Sequence, residues 1–318
     1  MSSPSEIVRR ITPSGGAVLT VAVGVSALTA TLAGVGESTP VEPSAPWGYQ
    51  GHEMATRAAV AILPEEVPDF FRGAGDHLVY LSPEPDRWRI SRYPELDRAG
   101  DYEHYVDLEN LPDGALGARD RFSYLERLHD AGVSAREGGL LPFRIVELHQ
   151  RLTSLWERWH AEDDPDRRRF IDARIIDDAG VLGHYVTDAS QPHHTTIHFD
   201  GWDEDAPNPE GFSEERGFHS RFETRFVNAH VTEDDIARLL PAAPRTVDGP
   251  VRAAVLAHIM ASHGQLEALY RLDRDVGFDA GTPPHPEAKA FAAERLAEGA
   301  EMLATLWWSA YRAGRDSR

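Results

Sequence analysis

Apolar residues recur at spacings of three and four along much of the chain, and this periodicity limits the fold more than any other feature. Such spacing places side chains on one face of a helix, where they can pack against other helices. Four segments show the pattern, over residues 145–159, 171–186, 251–259 and 288–310. Alternation of period two is scarce, and EHYVDLE (103–109) is the best candidate for a strand. We therefore predict a single all-α domain over residues 47–318.

Two long Pro-, Gly- and Asp-rich connections interrupt the helical pattern, at about residues 81–101 and 199–217, with a shorter one at 241–250. Connections this long in a helical domain are usually functional or mobile. They are therefore places to look for a site.

The composition excludes several kinds of site. The chain has no cysteine, so it has no disulfide, no thiolate metal site and no cysteine nucleophile. Any metal must be bound by His, Asp, Glu or backbone groups, which suit zinc among other divalent ions. The formal net charge of −20 would repel nucleic acid, so binding it would require a local cationic or metal-rich site.

The first 46 residues have the features of an export signal. Arg9 and Arg10 precede an uncharged run over residues 17–35, which is short and only weakly apolar for a membrane span. A Pro- and Ser-rich linker follows it. We interpret residues 1–46 as a signal peptide, or as a retained membrane anchor plus linker, with a cytoplasmic tail as the third alternative. The first two predict an exported protein, periplasmic or secreted, which residues 17–35 would tether in the anchor case.

Histidines and carboxylates are paired at helical spacing in two segments. In GHYVTDASQPHH (183–194), His184 and Asp188 are four residues apart, so their side chains lie one above the other on a helix. Pro192 ends that helix and places His194 on the turn beyond it. His219 and Glu223 repeat the spacing in GFHSRFETRF. Each pair alone is also typical of a solvated helix surface, whereas two such pairs together could bind metal.

The order of four motifs resembles the zinc-dependent phospholipase C / S1–P1 nuclease superfamily. The motifs are WGYQGH (47–52), HYVD (104–107), HYVTDASQPHH (184–194) and HSRFE (219–223). The resemblance covers residues 47–223 and does not extend to the C-terminal helices. It implies an all-α fold with three zinc ions in a cleft.

The resemblance also implies which residues bind each ion. At the first zinc it places Asp86, His104, His184 and Asp188. At the second zinc it places His194, His219 and Glu223. The third zinc would be bound by His52 and by the backbone amine and carbonyl of Trp47. Asp188 would bridge two neighbouring ions, and Asp86 would also act as the base that orients or deprotonates the attacking water.

Some of these assignments have competitors or conditions. Asp97 and Asp101 lie close enough in sequence to compete with Asp86. Trp47 can offer its amine only as the mature N-terminus. Glu103 and Asp107 flank His104 and could orient its ring. His193 has no counterpart in the motif.

The resemblance predicts a zinc-dependent hydrolase of phosphate esters, and we favour a phospholipase C-like phosphodiesterase. The substrate would be a phospholipid or another phosphodiester, with a membrane surface as a potential partner, and nucleic acid would bind only as a substrate. The alternatives are an S1/P1-type single-strand nuclease or 3′-nucleotidase, and a non-catalytic exported zinc-binding helical protein. Trp88 and Trp202 could form a substrate platform, or could cap the core. The oligomeric state is not predicted.

Overall fold

The computed structural model describes residues 48–317, which are built from helices joined by turns and loops. No β-strand occurs in this range, where the bridge between Phe199 and Gly201 is isolated. The all-α prediction is confirmed. The α-helices of this range are α1 (Tyr49–Ala61), α2 (Asp69–Arg72), α3 (Gly75–Leu81), α4 (Glu84–Arg87), α5 (Pro94–Asp101), α6 (Arg121–Asp130), α7 (Ala135–Gly138), α8 (Leu141–Ala161), α9 (Pro165–Ala189), α10 (Phe218–Ser220), α11 (Val227–His230), α12 (Glu233–Ala237), α13 (Val251–His263), α14 (Leu266–Asp275) and α15 (Pro286–Asp316). The predicted export segment and Trp47 lie outside the described residues.

Three long helices form the centre of the fold. Helices α8, α9 and α15 pack against one another, and α1 packs against α9 and α15. Their apolar stripes face inward: Leu152, Leu182 and Leu296 are fully buried. Burying such a side chain contributes roughly 1.5–3 kcal/mol, which explains why these stripes determine the packing.

Two glycines of α9 allow its neighbours to come close. A Cβ at Gly180 would lie 2.4 Å from the Cβ of Leu81 in α3, and one at Gly183 would lie 3.2 Å from Leu303 of α15. Glycine permits this approach because it has no side chain. The close contact with α3 brings α4, which follows it, against α9.

Two segments differ from what the sequence predicted. Part of the 81–101 connection folds into α4 and α5, and no residue of α5 is buried. Residues 103–109 do not form a strand, because their backbone groups bond elsewhere: Val106 N donates to His194 O (2.9 Å) and Asp107 N to Gly138 O (3.3 Å). None of the described helices is long and apolar enough to cross a membrane.

Candidate metal centre

The C-terminal half of α9 lies inside the protein. Every residue from 178 to 189 is buried, and His184 and Asp188 have no exposed surface. His184 Nε2 lies 3.3 Å from Asp188 Oδ2. The spacing of four residues is therefore a pair of potential ligands in the core, and the alternative of a solvated surface pair is wrong here.

Four further side chains, from three other elements and the turn after α9, point at this end of α9. The His52 ring of α1 stacks on His184 with centroids 4.0 Å apart, and its Nε2 lies 3.5 Å from Asp188 Oδ1. Asp86 of α4 lies 3.8 Å from His184 Nε2. His104 Nδ1 lies 3.1 Å from Asp188 Oδ2. We call His52, Asp86, His104, His184 and Asp188 the inner group.

The fourth is His194, which belongs to a second set of three. His194 lies on the 3₁₀ turn Pro192–Thr195 that follows α9. His219 is the middle residue of the short helix α10, and Glu223 lies in the π-helical turn Arg221–Phe226. Glu223 Oε2 is 2.8 Å from His219 Nε2 and 3.5 Å from His194 Nε2. We call His194, His219 and Glu223 the outer group.

Both groups have the ligand types and spacings of metal sites. Ligand atoms lie within 4.8 Å of one another in three sets, which are His52–Asp86–His184, His104–His184–Asp188 and His194–His219–Glu223. Histidine nitrogens also face each other without a carboxylate between them: His184 Nε2 and His104 Nδ1 are 3.0 Å apart. Imidazole and carboxylate ligands with no thiolate suit zinc and related divalent ions.

Unpartnered atoms in the inner group test whether these residues fit a cation. Both nitrogens of His52, both oxygens of Asp86, His104 Nε2 and Asp188 Oδ1 are buried and have no hydrogen-bond partner. An unpaired buried polar atom costs about 1–3 kcal/mol, and more when it is charged. Several such atoms in one place are what a site for divalent cations requires, so the residues fit a metal.

Burial shifts the ionisation of the inner group toward neutral forms. It lowers the pKa of His52 to about 3 and the pKa values of His104 and His184 well below their usual range. It raises the pKa of Asp86 to about 8 and that of Asp188 well above its usual range. The histidines are thus held in the neutral form that binds metal, while the aspartates need a nearby cation to ionise.

The outer group behaves differently. Burial acts to raise the pKa of Glu223, but the His219 and His194 rings outweigh burial and hold that pKa far below its usual range. Glu223 therefore stays ionised beside two imidazoles. His219 is also the more exposed ligand, with 18% of its side chain accessible.

Backbone carbonyls fix which ring nitrogen faces inward. His184 Nδ1 donates to Ser82 O (2.9 Å), and His194 Nδ1 donates to His104 O (2.6 Å). In both rings Nε2 is left free to bind a metal. Metal-binding histidines commonly donate their other ring N–H to a carbonyl in this way.

Gln191 contacts the outer group, although the sequence indicated it only as part of a turn. Its side-chain amide donates to Glu223 Oε2 (3.0 Å), and its oxygen accepts from His193 N (2.8 Å). It thus connects the turn that carries His194 to the carboxylate of the outer group. Gln191 is fully buried, so this bridge is shielded from water.

The structure brings together eight of the nine predicted ligands, and the ninth, Trp47, lies outside the described residues. Asp86 joins the inner group, whereas Asp101 pairs with Arg89 at 3.4 Å and Asp97 belongs to none of the three sets. The grouping differs in one respect from the expected one. Asp86 forms one set with His52 and His184, while the expectation put His52 at a separate ion.

Several predicted neighbours take other roles. Glu103 does not orient His104; its carboxylate pairs with Arg121 (2.8 Å) and Arg144 (3.3 Å). The His193 ring packs on Phe218, with its Nε2 unpartnered. Trp88 and Trp202 both pack against the core, and neither lines the pocket described next.

A pocket of about 470 Å³ opens onto the outer group. His104, His194, His219 and Glu223 line it, together with other residues that include Arg89, Tyr105, Arg136 and Phe199. His52, Asp86, His184 and Asp188 are not part of its lining. A molecule entering the pocket would therefore meet the outer group and His104 first.

Comparison with known proteins adds little about this centre. No family model matches the chain. A protein of Bradyrhizobium tropiciagri named as a probable serine protease is 29% identical over 209 residues, which cover 56% of this chain. The chain spans about a quarter of the length of that relative, 24%.

Proposed function

We propose that the protein is a zinc-dependent phosphodiesterase of the phospholipase C / S1–P1 nuclease type. The observation that carries the proposal is the convergence of eight histidine, aspartate and glutamate side chains. Seven of them have atoms that lack a hydrogen-bond partner or face another imidazole nitrogen. Bound zinc would supply a Lewis acid for the phosphate oxygens and a water of near-neutral pKa.

In this proposal the protein's own residues have different roles. Asp188 lies within 3.5 Å of His52, His104 and His184, so it is placed to be shared between neighbouring ions. Asp86, with both oxygens unpartnered, would orient the attacking water or accept its proton. The outer group lines the pocket and would bind the phosphate end of the substrate.

The name of the partial relative raises a second chemistry, a serine nucleophile. One partly buried Ser–His pair occurs among the described residues: His149 Nε2 lies 2.8 Å from Ser309 Oγ. Ser309 Oγ, however, is 3.0 Å from Leu306 O and donates to it, and the pair does not line the pocket. No carboxylate pairs with His149 among the described residues, so the arrangement lacks the group that orients the base in a catalytic triad.

For the substrate we favour a phospholipase C-like reaction, since a chain of net charge −20 disfavours a long polyanion. One observation supports the nuclease alternative. Phe199 is 44% exposed in the pocket wall, and an exposed ring can stack on a base. Assays of lecithin and of single-stranded DNA with the same preparation decide between the two.

Metal content and hydrolysis of bis(p-nitrophenyl) phosphate test the proposal together. We expect two to three zinc ions per chain, loss of hydrolysis on chelation and recovery with added zinc. One ion or none, or hydrolysis that resists the chelator but is stopped by a serine-directed inhibitor, contradicts the proposal. Bound zinc without hydrolysis indicates the non-catalytic alternative.

A further inference from the structure

Two arginines line the same pocket as the outer group, and they are in very different states. Arg89 is neutralised, because its guanidinium lies 3.4 Å from Asp101 and 3.9 Å from Asp86. Arg136 is exposed and forms no ion pair with any described residue. The pocket therefore carries one uncompensated guanidinium, in a protein whose net charge is strongly negative.

None of the acidic residues that line the pocket, Asp107 included, forms an ion pair with Arg136. The carboxylate of Glu137, the next residue, accepts from Ser134 N (2.8 Å) in a capping box and is held at the start of α7. Asp101 is paired with Arg89. The charge of Arg136 is thus available to a ligand.

The backbone beneath Arg136 is firmly held. The Tyr105 hydroxyl donates to Arg136 O (2.7 Å), and the Asn110 amide donates to Glu137 O (2.8 Å). Gly139, at φ +70°, lies so close to Tyr105 that an added Cβ would be 2.1 Å from its carbonyl oxygen. These contacts dock α7 on the segment that carries His104, so the backbone at Arg136 is held close to that segment.

We propose that Arg136 binds a second anionic group, a phosphate or a carboxylate, carried by the same substrate molecule whose phosphodiester lies at the outer group. This inference rests on the proposed function and narrows its substrate class. A planar guanidinium binds such groups through paired hydrogen bonds. The 470 Å³ pocket has room for more than the scissile phosphate. Substrates with one anion would lack this contact.

A matched pair of substrates measures the contribution of Arg136. Thymidine 5′-(p-nitrophenyl phosphate) has one anion, and its 3′-phosphate derivative has two. We expect the native protein to favour the second substrate, measured as the ratio of the two kcat/KM values. Arg136→Ala should reduce that ratio about 10-fold, which is the effect of losing one charge-assisted hydrogen bond. Arg136→Lys should keep part of the preference. Arg158→Ala, an exposed arginine that does not line this pocket, should keep all of it.

A second pair of substrates identifies the source of the anion. The pair is dihexanoyl phosphatidylserine and dihexanoyl phosphatidylcholine. An Arg136-dependent preference in the nucleotide pair indicates a phosphate, and in the lipid pair a carboxylate headgroup; either supports the inference. An equal preference in native protein and Arg136→Ala for both pairs overturns it.

A binding measurement tests the role of Arg136 without requiring turnover. Calorimetry should show that thymidine 3′,5′-bisphosphate binds the full chain about 10-fold more tightly than thymidine 5′-monophosphate, and that Arg136→Ala loses the difference. If no substrate is hydrolysed, the proposed function fails. The binding comparison still decides on Arg136, and equal affinities overturn its role.

Discussion

The inner and outer groups contain the same kinds of ligand, but their buried charges are compensated in different ways. In the inner group, five fully or nearly fully buried side chains leave several atoms unpartnered, and burial favours protonated aspartates. In the outer group, Glu223 is ionised beside His219 at 2.8 Å and also accepts from Gln191. The outer group is therefore partly satisfied by the protein itself, whereas the inner group is not.

This difference separates the roles of the two groups in stability and in binding. Removing cations from the inner group leaves carboxylates that must protonate or face each other across a few ångströms. The outer group keeps its hydrogen bonds without a cation and is open to the pocket. We therefore expect the inner metals to be coupled to folding and the outer metal to exchange more readily.

Asp188→Asn should cause the largest effect. The change keeps the shape of the side chain but removes the charge shared by three histidines. Loss of even an outer partner of a metal ligand costs about 10–100-fold, so phosphodiester hydrolysis should fall by more than about 100-fold, with loss of inner metal. Kinetics and metal analysis measure both. Asp97→Asn, which affects a carboxylate outside the three sets, is the control, and equal losses in the two variants would refute the inner group.

Gln191→Leu should affect the outer group alone. It removes the hydrogen bond to Glu223 and leaves the five inner residues unchanged. We expect affinity for the weakest-bound zinc to fall by roughly 10–100-fold while the other ions remain. A zinc titration monitored by a competing chelator measures this. Loss of all ions at once would show that the two groups do not act separately.

Helix geometry explains what could be predicted of this site. A spacing of four residues places His184 over Asp188 whatever surrounds them, and the same rule pairs His219 with Glu223. The resemblance then brought in residues far apart in sequence, such as His52 and Asp86. The long amphipathic helices were predictable for a related reason, since their periodicity is local.

Features set by tertiary contacts could not be predicted in this way. That Asp86 forms one set with His52 depends on how closely α3 approaches Gly180. That Gln191 holds Glu223 depends on the meeting of two segments 32 residues apart. Residues 103–109 alternate like a strand, but no strand lies beside them and their backbone bonds to His194 and Gly138 instead. None of these contacts leaves a pattern in the local sequence.

The pH dependence of stability should distinguish loaded from metal-free protein. Burial raises the pKa of Asp86 to about 8, above its value in the unfolded chain, so without metal the folded form holds a proton that the unfolded form releases. Stability of the chelated protein should therefore fall as pH rises through this range. Between pH 7.5 and 9, where the unfolded histidines are largely neutral, Asp86 alone should account for a loss of about 0.8 kcal/mol, and Asp188, whose pKa burial also raises, adds to it.

Denaturant unfolding at three pH values, with and without chelator, measures this effect. The loaded protein should show a much smaller change, because a cation keeps the inner aspartates ionised. Burial also raises the pKa of Asp107 to about 7, but Asp107 contributes equally to both curves. Parallel curves would mean that no metal compensates the inner carboxylates.

The smallest effect should come from Ser309→Ala, which tests whether burial alone defines the inner group. His149 is as buried as the inner histidines, and burial lowers its pKa to about 4, but its Nε2 has Ser309 as a partner. Removing that hydroxyl should cost about 1 kcal/mol in unfolding free energy and change hydrolysis by less than about 2-fold, with metal content unaltered. A buried histidine whose nitrogen bonds to a hydroxyl is structural, whereas the inner histidines have nitrogens that face one another and the aspartates. A large fall in hydrolysis would instead make Ser309 the nucleophile and remove the reason for separating the two kinds of buried histidine.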